Sequence, residues 1–360
     1  MGISRIADLS SFLDIDFKVV SIIRTNIDKH QNSQTQGVGR NILEATSTGL
    51  VECYERYCGS YIIDKHIYSY EDNFSSLFVE LRSLGYKDCN HAKYNLKWTK
   101  AYSILDKEDK YLPAVEVFFP YTGTDIKFTD IRPHTSGLSA GGSLIESSVY
   151  SIIEVIERYY ISNFYRTFLR QKVADLINID SIQCQKIRSI LSELQTYGCD
   201  FFILKLKAII PVYYCAIFDG FGLGPKFMVS GSGAHYQEEK ALESAVLEGV
   251  QSLYTALQGS REDIVRHKEN YKKQNFTNDN VYFKLKKFFS SRYHVIDFQS
   301  NQLDFKNISG IYDYLIDLLN EQDFKHIYIA NLSQKDIPLF VTKAVIPKLF
   351  DSYVNPGRIT

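Results

Sequence analysis

The sequence carries no surplus of either charge: 41 Lys and Arg stand against 42 Asp and Glu in 360 residues, a formal net charge of −1. A nucleic-acid binder held by phosphate contacts needs a basic excess, so no nucleic-acid partner is expected. Paired cysteines are missing too. Cys53, Cys58, Cys89, Cys184, Cys199 and Cys215 are scattered without a CxxC pair, which argues against a disulfide framework and a zinc ribbon. The eight histidines form no HxxxH or HxH pair, so a transition-metal site is not expected. No apolar run is long enough for a membrane: the longest, Phe201 to Phe218, is broken by Lys205, Lys207 and Pro211 and reads as two strands. The N-terminus lacks a secretory apolar core, and Ile6 stands where a myristoylation signal has Ser or Thr. A cytoplasmic location without membrane attachment is the expectation.

What is present is an ordinary globular composition, 45% apolar and 23% charged, with enough chain for a large core. The length suits two or three domains or one large α/β unit. Internal similarity decides between them. Residues 37–52, 139–154 and 233–248 align without gaps. Each opens with small residues and repeats them at its ninth and thirteenth places: Ala45 and Gly49, Ser147 and Ser151, Ala241 and Ala245. Each then carries two aliphatics and a glutamate, Glu52, Glu154 and Glu248. This pattern predicts a glycine-rich turn followed by a helix packed closely through its small face. The helices are expected near 42–58, 144–164 and 238–258, as three related β-α units of one α/β (α+β) fold with mixed sheets. Further helices are expected over 181–197 and 311–320, and strands over 18–24, 112–119, 201–207, 212–218, 226–230, 294–298, 326–331 and 339–346. Residues 274–280 read as a mobile loop, and 219–226 as the turn of a hairpin.

The first two helices continue as Glu52-Cys-Tyr-Glu55-Arg56 and Glu154-Val-Ile-Glu157-Arg158, the third as Glu248-Gly-Val-Gln251. Spacings of three and four place these side chains on one helical face. A lone ExxER is ordinarily a solvated face. Recurrence in the same register, by contrast, suits carboxylates that converge. Convergent carboxylates need a cation, and Mg²⁺ is the hard cation that accepts all-oxygen ligation while keeping sites for phosphate. Arg56 and Arg158 are suitable donors to phosphate oxygens.

These motifs resemble the YcaO family. Thr48, Glu52, Glu55 and Arg56 match its first ExxER unit. Thr135-Ser136-Gly137-Leu138-Ser139-Ala140-Gly141-Gly142, Glu146, Glu154, Glu157 and Arg158 match the second, and Glu248, Gln251 and Gly259-Ser260-Arg261-Glu262-Asp263 the third. The resemblance runs from about residue 5 to 348 and implies one YcaO-type domain over 1–360, with a nucleotide site between helices and no separate leader-binding domain. It implies ATP and Mg²⁺, with Glu52, Glu55, Glu146, Glu154 and Glu157 on the metal. Thr48, Arg56, Ser139, Arg158, Gln251 and Arg261 would bind nucleotide, and Glu248 would be ligand or support. The implied reaction is ATP-dependent activation of peptide backbone amides, giving azolines by cyclodehydration or thioamides with sulfide, in maturation of a ribosomally made, bacteriocin-like peptide or of a protein. Three departures stand out: Val38 replaces the family's lysine, Gly142 its asparagine, and the chain lacks a PxPxP tail. The missing lysine and Gly142 motivate the alternative of a catalytically silent scaffold that binds a peptide or partner enzyme. The compact opening resembles members that work with a TfuA-type protein, so a separate TfuA-like or leader-binding partner is expected beside the precursor peptide. The 49 Tyr and Phe leave room for a homodimer interface, although aromatics belong more often to cores.

Overall fold

The computed structural model describes residues 2–356 except 14, 26–31, 62–66, 88, 168–172, 220–227, 259–277 and 302. The chain divides into two compact units. The first comprises Met1–Cys53 and Thr167–Leu303, the second Tyr54–Arg166 and Asp304–Thr360.

Two sheets organise the first unit. Strands β1 (Ile3–Asp8), β2 (Lys18–Thr25) and β3 (Asn32–Gly39) form an antiparallel sheet in that order. Helix α1 (Ile42–Cys58) follows β3 and runs to Cys53 in this unit and from Tyr54 in the other. The second unit opens with a short helix α2 (Cys89–Asn95), strands β4 (Trp98–Ser103) and β5 (Glu108–Pro113) and one helical turn, α3 (Ala114–Val117). Then come β6 (Leu138–Gly141) and the long α4 (Leu144–Thr167). Back in the first unit, β7 (Ala174–Asn178), α5 (Gln185–Thr196), β8 (Cys199–Leu206), β9 (Val212–Asp219), β10 (Met228–Ala234), α6 (Glu238–Gln258) and β11 (Val295–Asp297) complete a mixed sheet of order β10-β9-β8-β7-β11. Its β7–β11 pair is parallel and the others antiparallel. In the second unit β12 (Tyr328–Asn331) and β13 (Phe340–Val345) give the antiparallel order β5-β4-β12-β13-β6.

The apolar stretch 201–218 is two strands as expected. β9 lies second in its five-stranded sheet and is buried at every position, which explains its unbroken apolar run. Helix α5 covers this core with Ile187, Ile190, Leu191 and Leu194, a stripe at spacings of three and four. Each such side chain contributes about 1.5–3 kcal/mol of transfer free energy. The six cysteines are free thiols. Among the described residues no helix is long and apolar enough to cross a membrane.

The three repeated units are β3-α1, β6-α4 and β10-α6, and their small residues do what the alignment implied. A Cβ on Gly37 would lie 1.9 Å from the Ala45 carbonyl oxygen and 2.2 Å from Gly49 N. One on Gly233 would lie 2.5 Å from the Ala241 oxygen and from Ala245 N, the aligned atoms of the third unit. Strand backbone therefore touches helix backbone. The glycine-rich openings are consequently strands and not turns: a strand pressed against a helix needs small residues as much as a turn does.

Other local readings change for related reasons. Residues 112–119 are not one strand, because β5 ends at Pro113 and Ala114–Val117 form a buried helical turn. A short apolar run has no period that separates buried strand from buried helix. Ser181 belongs to a 3-10 turn, and α5 begins only at Gln185. The hairpin reading of 219–226 falls mostly outside the described residues, yet Met228 pairs with Phe218 as its flanking strands require. Of the 274–280 loop, 274–277 lie outside the description, while Asn278 opens a helix to Arg292.

Candidate functional site

In the first unit the repeat glutamates are tied to strand backbone. Glu52 on α1 accepts a hydrogen bond from Gln36 N at 3.1 Å, and Glu248 on α6 accepts from Ser232 N at 2.8 Å and from Ser232 Oγ at 3.2 Å. Both bonds span sixteen residues, so the two glutamates are equivalent in structure as in alignment. Amide dipoles hold each carboxylate in one rotamer. Gln36 also joins the first and third repeats. Gln251 Nε2 donates to its carbonyl at 3.2 Å, and Thr255 Oγ1 donates to its Oε1 at 2.6 Å. Sequence reading did not single out Gln36 or Thr255, because neither lies in the repeated glutamate pattern. Thr48 donates Oγ1 to the Glu44 carbonyl at 3.0 Å, one turn back on the exposed side of α1.

The second unit treats its carboxylates differently. Glu55 and Arg56 are 14% and 23% exposed, with Arg56 Nε 3.9 Å from Glu55 Oε1. Glu154 and Arg158 are 20% and 35% exposed, with Nε 3.7 Å from Oε1. A solvated helix face would leave such side chains in water; these are mostly covered. Glu157 is half-buried on the same helix. Glu146 has a local task as well: its Oε2 accepts from Gly142 N at 2.8 Å while its own amide donates to Ser143 Oγ at 3.1 Å, closing the start of α4. Glu44 does the same for α1 with Arg40 N and Asn41 Oδ1. Ser139 lies in β6, its carbonyl accepting Ser147 Oγ at 2.9 Å. Arg261 lies outside the described residues.

Lys343 is the residue of this unit that sequence reading missed. It sits on β13 without solvent exposure and donates Nζ to the His134 carbonyl at 2.8 Å. Burial pushes its ammonium down to about 7, against the pull of Glu154, Glu116 and Glu55, with Arg56 adding to the depression. A single lysine in an apolar strand gives no sequence signal of such company. Beside it the buried Glu116 lies 4.0 Å from His134 Nε2. Of the carboxylates of this unit, Glu55 and Glu154 lie beside arginines.

Among the described residues no group of three or more His, Cys, Asp or Glu side chains is placed to hold a metal. Mg²⁺ takes oxygen donors at every position, from carboxylate, phosphate or water. The donors fit: the carboxylates offer only oxygen, and buried Gln36 Nε2, beside Glu52 and Gln251, has no hydrogen-bond partner among the described residues.

Comparison with known proteins agrees with this chemistry. The family model described as YcaO cyclodehydratase, ATP- and Mg²⁺-binding, matches residues 36–350. An uncharacterised protein of Methanothermobacter thermautotrophicus is 24% identical over 367 aligned positions, covering 100% of this chain and 92% of the relative. The structure of YcaO from Methanopyrus kandleri, bound with AMPPCP and Mg²⁺, superposes with a TM-score of 0.76 at 17% identity, covering 99% of this chain and 89% of that one. A heterocyclase in complex with substrate and cofactor gives 0.75 at 15% identity, covering 97% and 50%. At these identities the structures speak for the fold, and their mixed α/β architecture is that of this chain. With the family model spanning most of its length, the chain belongs to the YcaO family of ATP- and Mg²⁺-binding proteins.

Proposed function

We propose that this protein binds Mg-ATP and uses it to activate backbone amides of a ribosomally made peptide or protein. The observation that carries the reading is that repeated glutamates are half-covered, Glu52 and Glu248 held by backbone amides and Glu55 and Glu154 beside arginine, and are not left on a solvated face. We assign Glu52, Glu55, Glu146, Glu154 and Glu157 to the metal. Thr48, Arg56, Ser139, Arg158, Glu248, Gln251 and Arg261 are assigned to the nucleotide. Mg-ATP supplies the phosphoryl group that converts an amide oxygen, otherwise a poor leaving group, into phosphate. The chain's own part is electrostatic and positional. Glu52 and Glu248 are pinned by Gln36 N and Ser232 N, so little reorganisation accompanies ligand binding. Arg56 and Arg158 offset phosphate charge and orient it.

The product is an azoline when the attacking group is a Cys, Ser or Thr side chain of the peptide, and a thioamide when it is sulfide. A separate partner protein delivers the substrate in this reading. Calorimetric titration with Mg-ATP tests the proposal: the wild-type chain should bind, and Glu154→Gln should weaken binding at least about tenfold, roughly 1.4 kcal/mol. Absence of binding by the wild type would leave the scaffold reading in its place. Mass spectrometry of treated peptide then separates the products, since an azoline has lost water and a thioamide has exchanged oxygen for sulfur.

A further inference from the structure

The five-stranded sheet of the second unit opens between two neighbouring strands. β4 and β12 pair only at Tyr328↔Ser103 and Ile329↔Tyr102. Strand geometry shows which backbone groups the opening leaves facing it. Ile104 N donates to the Ile327 carbonyl, so even-numbered residues of β4 direct N–H and C=O towards β12. Tyr102 lies within the ladder, and Trp98 exchanges both bonds with Tyr68 at 2.8 and 2.9 Å. Lys100 lies between them. On β12, Leu332 N donates to the Val341 carbonyl, so even-numbered residues face β13 and odd-numbered ones face β4. Asn331 is thus turned towards Lys100, and no β4–β12 pair joins them.

The space beside these groups is a groove of about 810 Å³, within the range of ligand sites. Phe118 and Ile329 line it with buried apolar surface, and Lys100, Asp109, Lys335 and Asp336 balance one another in charge. All its lining residues belong to the second unit.

We propose that this groove is the seat of an extended stretch of the acceptor peptide, which enters between β4 and β12 and takes main-chain hydrogen bonds from Lys100 and Asn331. Exposed donors and acceptors on two facing strands suit a third strand better than a compact small molecule. Because β4 and β12 are antiparallel, such a segment runs parallel to one and antiparallel to the other. Recognition through the backbone with a charge-balanced rim selects uncharged, extended sequence and tolerates variation in its side chains. The inference rests on the peptide-modifying reading above.

The experiment uses the full chain and a fluorescein-labelled seven-residue peptide of Val and Thr, alongside the same peptide N-methylated at alternate residues. Hydrogen exchange should find the Lys100 and Asn331 amides fast in the free protein and about tenfold slower or more with peptide. The N-methylated peptide should bind at least about tenfold more weakly. Lys100→Pro removes the groove-facing N–H without touching the β5 ladder, so it should abolish binding while Lys100→Ala retains it. Asn331→Pro repeats the test from the other strand, with Mg-ATP binding and circular dichroism reporting on folding. Amides already protected in the free protein, equal binding of both peptides, or no peptide binding would each overturn the proposal. Peptide failure with intact Mg-ATP binding removes the groove alone; the reverse removes the ATP-dependent function alone.

Discussion

The two units build the same β-α repeat on the same backbone contact but reinforce it differently. In the first, main chain meets main chain: Gly37 and Gly233 lie against helix backbone, and strand amides hold Glu52 and Glu248. In the second, Gly141 makes the same backbone contact, a Cβ there lying 2.6 Å from Ser147 N, and side chains add to it. Ser147 and Ser151 of α4 bond Thr342 of β13 through their hydroxyls, at 2.8 and 2.5 Å, and the carboxylates lie beside Arg56, Arg158 and Lys343. Backbone contacts allow no tolerance in size but are indifferent to titration. Side-chain networks tolerate small changes in volume yet depend on charge and on hydroxyl partners.

The largest break should come in the first unit. Gly37→Ala places a methyl 1.9 Å from the Ala45 oxygen, and the neighbour is backbone that cannot rotate aside. Urea unfolding should show a loss of about 3 kcal/mol or more. A milder cost would show that β3 and α1 can slide apart and that the contact is looser than its counterpart in the second unit.

Acid should act on the first unit as well, through a side chain outside its backbone contacts. Burial pushes the His235 imidazole of the first unit down to about 4, with Lys240 acting in the same sense. A folded-state value below the unfolded one means that the unfolded chain binds the proton first. Stability from this group is therefore full above about pH 6.5 and declines as pH falls towards 4, by up to about 3 kcal/mol. His235→Gln should flatten that limb of a stability–pH curve, and an unchanged slope would place the acid sensitivity elsewhere.

The smallest effect belongs to the second unit. Ser151→Ala removes the hydroxyl that donates to the Ser147 carbonyl and meets Thr342, and should cost about 1–1.5 kcal/mol in thermal or urea unfolding. A cost near that of Gly37→Ala would erase the distinction between the two constructions.

Most of what identifies the chain was legible in the sequence. Small residues and glutamates recur at fixed offsets because a close strand–helix contact restricts size at the same places each time. The Gln36–Glu52 and Ser232–Glu248 bonds confirm the offset between the first and third units. Periodicity could not tell a glycine strand from a glycine turn, nor the helical turn at Ala114–Val117 from a strand, since both carry the same short buried pattern. Lys343 and Gln36 were invisible for another reason: each draws its role from residues distant in the chain.

The sequence by itself determined the family, the three β-α units and the set of carboxylates and arginines, because local spacing and side-chain chemistry suffice for these. Only the tertiary structure decided which glutamates rest on backbone dipoles and which lie beside arginine, and where a sheet leaves main chain open. Both depend on which strands and helices become neighbours, and that is settled when the whole core packs.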